Sequence, residues 1–157
     1  KGNHDYYSDS FEKVFDQTKF KVLYNSYDLI YYKGNIPILL TGISSEVEND
    51  MNIEQAFSYN EMDNLYTISI LHEPDSIDKI LNYSNVDLIL AGHSHNGQVR
   101  LPFIGAIARV DGGKKYANEY YKVKDTDLYI SGGIGTSGYK IRFFDRPSIN
   151  LYRLISK

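Results

Sequence analysis

Residues 86–95 read VDLILAGHSH, an apolar run that breaks at Gly92 and then presents His93 and His95. A short continuous apolar stretch ended by a turn signal reads as a buried strand, so both imidazoles fall at a strand's carboxyl end. Upstream, residues 75–84 (DSIDKILNYS) read as a capped helix, and residues 65–74 (LYTISILHEP) as a strand stopped by Pro74, with His72 just past the apolar run. Residues 52–59 (NIEQAFSY) read as a short helix. Residues 21–44 read as two strands around a turn at Lys33, Gly34 and Asn35. Residues 8–20 begin with a Ser/Asp cap signal and carry Phe11, Val14 and Phe15 on one helical face. Downstream, residues 120–137 and 141–156 read as strands with glycine-rich turns. Strands alternating with short helices, followed mostly by strands, predict an α+β (α/β) chain. Its core is a mixed sheet or two packed mixed β-sheets flanked by helices.

Composition narrows the function. At 157 residues, one domain is expected. A net charge of -3 gives no electrostatic reason to expect nucleic acid. The absence of cysteine removes disulfides, thiolate metal sites and thiol nucleophiles. No apolar run approaches the ~20 residues of a membrane-spanning helix.

The chain has four histidines, and each sits in a tight polar motif: His4 in GNHD, His72 at a strand end, His93 and His95 in GHSH. Alternation along an extended backbone puts His93 and His95 on the same side, a spacing that suits one metal or two adjacent ones. Neutral imidazole is the commonest metal ligand. Imidazole, amide and carboxylate ligands together favour Mn, Fe or Zn over Mg or Ca.

Gly2-Asn3-His4-Asp5, then His72 after a strand, then Gly92-His93-Ser94-His95 resemble the C-terminal motif series of the calcineurin-like metallophosphoesterases. Residues 71–75 (LHEPD), 91–106 and 130–154 are more narrowly similar to a bacterial branch of membrane- or cell-envelope-associated phosphoesterases, some of which act on lipid-linked phosphodiester or pyrophosphate substrates. The resemblance covers essentially the whole chain. It implies a sandwich of two β-sheets with a two-metal centre at one end. It makes Asn3, His72 and His93 ligands of one metal and His95 a ligand of the other. His4 would not be a ligand but would face the scissile phosphate, with Asp5 holding its imidazole. Two metals ~3.5–4 Å apart would clamp the attacking and leaving oxygens and lower the pKa of bridging water.

One departure is large. The family pattern begins with Asp-x-His and Gly-Asp-x-x-Asp, and neither motif occurs in this sequence. Those segments supply most ligands of the second metal. The chain is therefore read as the C-terminal portion of a single metallophosphoesterase domain, its N-terminal part missing. The full-length enzyme is expected to hold two divalent ions, and this fragment one or none. The chain itself does not fix localisation; the resemblance suggests the membrane or cell envelope, with association through a missing N-terminal segment, and the cytoplasm is the alternative. The expected activity is hydrolysis of a phosphomonoester, phosphodiester or pyrophosphate bond in a small-molecule or lipid-linked substrate. The alternatives are a non-catalytic scaffold of the same fold and a single-metal binding module.

Among other residues, Arg100 is a candidate to reach a substrate phosphate with its planar fork. Arg142 and Arg146 are read as structural. The glycines of residues 131–138 lack the Gly-Lys-Ser/Thr ending of a phosphate loop. Glu73 is weighed as a residue that orients a ligand.

Overall fold

The computed structural model describes residues 1–16, 18–34, 36–59 and 65–155. The short helices begin with α1 (Phe11–Phe15), inside the helix read at residues 8–20, and α2 (Ile53–Ala56), where Asn52 caps the first turn by accepting from the Gln55 amide. Strands β1 (Ser26–Ile30) and β2 (Ile38–Gly42) pair antiparallel, as the hairpin-like reading of residues 21–44 predicts; Asn35, in its turn, lies outside the described residues. Next come β3 (Thr67–Ile70), α3 (Ile77–Tyr83) and β4 (Leu88–Ala91), then a ribbon of β5 (Arg100–Leu101) with β6 (Gly105–Ala106), then the antiparallel pair β7 (Tyr120–Val123) and β8 (Thr126–Ile130).

The main sheet has six strands in the order β1-β2-β3-β4-β8-β7. Strands β2, β3, β4 and β8 run parallel, with antiparallel β1 and β7 at the edges. This is the α/β class that the alternation predicts, with the small β5–β6 sheet beside it. One face of the sheet presents Ile89, Leu128 and Ile130, which pack with Ile77 and Ile80 of α3 into the buried core. On that same face, neighbouring strands satisfy each other's polar groups: the Thr41 hydroxyl donates to Ser69 Oγ at 2.9 Å, fully buried. The opposite face carries Leu40, paired with Ile68, and the in-register row Ile70, Leu90 and Tyr129. It is less covered: Ile70 is 44% exposed, and Tyr152 from the C-terminal segment lays its ring 5.3 Å from that of Tyr129.

Residues 141–155 correct the sequence reading. The alternation predicts strands, but among the described residues the segment's β pairing is one isolated bridge from Phe143 to Val99. Ile149 and Leu151 are 87% and 95% exposed. An apolar alternation makes a strand only where a neighbouring edge offers ladder partners, and Pro147 removes one donor from the segment. No described helix is long and apolar enough to cross a membrane.

Candidate metal centre

The parallel register fixes the site. His72 lies two residues past the end of β3 and His93 two residues past β4, so both emerge at the carboxyl end of the sheet. Backbone bonds from Leu71 N to Leu90 O (3.1 Å) and from Gly92 N to His72 O (3.1 Å) carry the pairing beyond the strands and hold the two histidines side by side. Ligand sites of open parallel sheets lie at such ends. Asn3 arrives on a one-and-a-half-turn 3-10 helix (Asn3–Tyr7), entered through Gly2.

Three acceptor atoms converge there. His72 Nε2 is 2.9 Å from Asn3 Oδ1 and 3.1 Å from His93 Nδ1, and the two rings stand 4.7 Å apart at 62°. The tautomer of His93 follows from its other nitrogen. Its Nε2 lies 2.6 Å from the Asp111 carbonyl, which can only accept. The proton therefore sits on Nε2, and Nδ1 turns a lone pair toward His72. Burial, and then the neighbouring His93, pull His72 down to about 4, so it is neutral near pH 7 and its ring can supply a second lone pair. Two imidazole nitrogens and an amide oxygen facing one point leave too few protons to pair with one another. A divalent cation satisfies all three at once, so the donor set fits a divalent metal ion. Glu73 adds a carboxylate, its ligand atom within 4.8 Å of those of His72 and His93. It is buried, with its oxygens taken by the Ser45 hydroxyl and by the Glu46 amide at 3.2 Å. Those hydrogen bonds go to residues 45 and 46 and not to either histidine ring, so no hydrogen bond among the described residues has it orienting a ligand.

Gly2 is required by contact. A Cβ built on it would lie 2.7 Å from both Cε1 and Nδ1 of His72. Gly2→Ala is therefore expected to push the His72 ring off Asn3, destabilising the fold by about 1–3 kcal/mol and weakening metal binding by roughly the 10–100-fold seen for residues that orient ligands. Urea unfolding and metal titration read the two effects separately.

The remaining predicted residues fall as follows. His95 and His4 line a cleft of ≈ 450 Å³ with Asn3, His72 and His93. His95 stands apart from the three-atom cluster; burial and then Arg142 lower its pKa. Asp5 does not hold His4. Its Oδ2 accepts from the Gly2 amide at 2.8 Å while its own amide donates to the Gly2 carbonyl at 3.0 Å, so the carboxylate closes the start of the 3-10 turn, and neighbouring residues on a helical turn do not face each other. Arg100 is also corrected: its guanidinium donates to Asn96 O (2.6 Å), Ala117 O (3.0 Å) and Asn118 Oδ1 (2.7 Å), which makes it a brace between loops. The arginine in the cleft wall is Arg109, which sequence reasoning missed. It is exposed and, among the described residues, makes one hydrogen bond, to Lys114 O at 2.6 Å. Nothing local marks it; only the return of the 107–113 loop to His93 through Asp111 brings it there.

The turn that carries His93 and His95 is backbone-strained. His93, His95, Asn96 and Gln98 all have positive φ, between 48° and 59°. Non-glycine residues persist there when their surroundings over-determine them, and they gather at ligand clamps and active sites.

Fold, strand-end histidines and strained loop together describe a metal-binding α/β domain. Comparison with known proteins gives the family. The calcineurin-like phosphoesterase family profile matches residues 1–97, and the chain belongs to that family. It is 30% identical over 158 residues to the uncharacterized metallophosphoesterase YkuE of Bacillus subtilis, covering 99% of this chain and 54% of that protein. It is 28% identical to a second Bacillus subtilis protein, the uncharacterized metallophosphoesterase YkoQ, over 98% of this chain and 58% of the relative. The phosphodiesterase YaeI of Escherichia coli is 30% identical over 92 residues, which is 59% of this chain and 33% of that protein. The chain thus spans little more than half the length of the two Bacillus relatives. No solved structure gave a significant match.

Proposed function

We propose that the protein is a metal-dependent phosphoesterase and that this chain is the C-terminal portion of its single catalytic domain. The observation that carries the reading is the convergence of Asn3 Oδ1, His72 Nε2 and His93 Nδ1 on one point at the carboxyl end of a parallel sheet. The part-exposed apolar sheet face around Ile70 supports the domain reading, since a sandwich covers that face with a second layer.

In the proposed reaction, Asn3, His72 and His93 hold one divalent ion and His95 contributes to a second. Ions held there would supply Lewis-acid activation of water and stabilisation of developing negative charge. The protein's own groups do the rest. His4 faces the scissile phosphate from the cleft wall, and Asp5 sets the turn that presents it. Arg109 offers its unengaged N–H groups to a substrate oxygen. Val47, Val99, Ala108 and Val110 line the same cleft, so a phosphoester with an apolar portion fits best. That favours a lipid-linked substrate and a place at the membrane or cell envelope.

The full-length protein, loaded in turn with Mn, Zn and Fe, should hydrolyse bis-p-nitrophenyl phosphate, and chelation should abolish turnover. Two bound ions with no phosphoester cleaved on any metal would sink the enzyme reading. Among the described residues three donors lie within hydrogen-bond distance of one another, so a single-metal module is the rival; one ion per full-length chain would favour it. Arg109→Ala is expected to raise KM by about tenfold, the equivalent of one charge-assisted hydrogen bond, with kcat changed little; steady-state kinetics checks it.

A further inference from the structure

We infer that Arg142 is a positioning residue for His95: with Asp145 it fixes the far wall of the cleft onto the metal-binding loop. The inference rests on the reading of His95 as a metal ligand. It lies outside the stretch that the family profile matches, which ends at residue 97.

Arg142 and Asp145 form a buried ion pair, with side chains 8% and 5% exposed. A buried pair of charges persists where further hydrogen bonds saturate it. Here they do. Arg142 Nε donates to Gly135 O at 2.9 Å, and Nη2 lies within reach of the carbonyls of Gly132, Gly133 (3.2 Å) and Gly135 (2.6 Å). The same Nη2 packs 3.4 Å from His95 Nδ1. With two hydrogens and closer carbonyls to serve, Nη2 backs the imidazole rather than bonding it strongly. On the other side, Asp145 Oδ1 lies 3.5 Å from the side-chain amide of Asn96, a buried residue held at φ 52° beside His95. A Cβ on Gly132 would come within 2.9 Å of that amide, so the glycine loop closes directly on it.

Apolar burial does not hold this segment in place. Ile134, Ile141 and Phe144 are 71%, 59% and 67% exposed. Its placement depends on polar contacts, and these end on the metal loop. Gln98 brackets the segment from the opposite side, accepting from Ser137 N at 2.7 Å and donating to Tyr139 O at 2.9 Å. Ser137, Gly138 and Tyr139 in turn line the cleft. One guanidinium therefore backs the His95 ring and ties down the glycine loop that runs directly into the wall facing it.

The test is a double-mutant cycle on the full-length protein, read by Zn²⁺ titration in a competing chelator. His95→Ala identifies the binding step to which His95 contributes. Arg142→Ala is expected to weaken that same step by about 10–100-fold, as removal of a ligand's outer support does. The double variant should bind no more weakly than His95→Ala alone. An unchanged Zn²⁺ affinity in Arg142→Ala, or fully additive losses, overturns the inference; a merely structural arginine would lower the melting temperature and leave affinity in the folded protein intact. If Arg142→Ala does not fold, Arg142→Lys, which keeps the cation but lacks the fork, is read by the same criterion. If His95→Ala leaves every Zn²⁺ step unchanged, the ligand reading fails on its own. The inference is then decided by ring-nitrogen NMR: Arg142→Lys must move the His95 signals and leave those of His72 in place, and unmoved His95 signals overturn it.

Discussion

His72→Ala is expected to reduce metal affinity more than any other single substitution in the chain. His72 Nε2 is the hub of the cluster, 2.9 Å from one donor atom and 3.1 Å from the other. Without it, Asn3 and His93 remain as an amide oxygen and one imidazole, below the three protein ligands a catalytic zinc ordinarily requires. Loss of outer support costs roughly 10–100-fold in affinity, and removal of a ligand itself should exceed about 100-fold, or about 2.8 kcal/mol. Metal analysis after dialysis checks it directly. A thermal-shift comparison separates this loss from general damage. The wild-type protein at a hundredfold excess of metal over Kd gains about 2.7 kcal/mol from binding, and chelation should remove that gain. His72→Ala should melt at the same temperature with or without chelator. A variant that kept stoichiometric metal would remove His72 from the ligand set.

How far the sequence led can be judged residue by residue. The VDLILAGHSH stretch is legible because one signal serves two levels: the apolar run makes β4, and its break places His93 and His95 at the end that binds ligands. His72 is legible for the same reason, at the end of β3. What joins them is the register Ile70↔Leu90, which no local pattern encodes. The tautomer of His93 is set by a carbonyl 18 residues away in a loop with no periodicity. Arginine roles were the least legible. Arg100 is near His95 in sequence, yet its guanidinium turns back onto loop carbonyls, whereas Arg109 and Arg142 reach the site through long returns of the chain. In the same way, the family resemblance of GNHD implies that Asp5 supports His4. The 3-10 turn instead gives that carboxylate to an amide left open at its own start.

His4→Ala is the complementary case, expected to spare the metal and remove the chemistry. His4 lines the cleft and is exposed, whereas the three-atom cluster forms from Asn3, His72 and His93 without it. Metal content should therefore match the wild type. If His4 protonates the leaving oxygen or stabilises charge in the transition state, turnover should fall by about 10²–10⁴-fold. The fall should appear equally in kcat and kcat/KM, the signature of an interaction made only in the transition state. The choice of ester decides between the two roles. A p-nitrophenolate departs without a proton, so a proton-donating His4 would matter much less for p-nitrophenyl esters than for alkyl esters of the same phosphate. A charge-stabilising His4 would matter equally for both. Parallel loss of metal and turnover in His4→Ala would instead make His4 a ligand, and the phosphate-facing role would have to pass to another group in the cleft, with Arg109 the first to test.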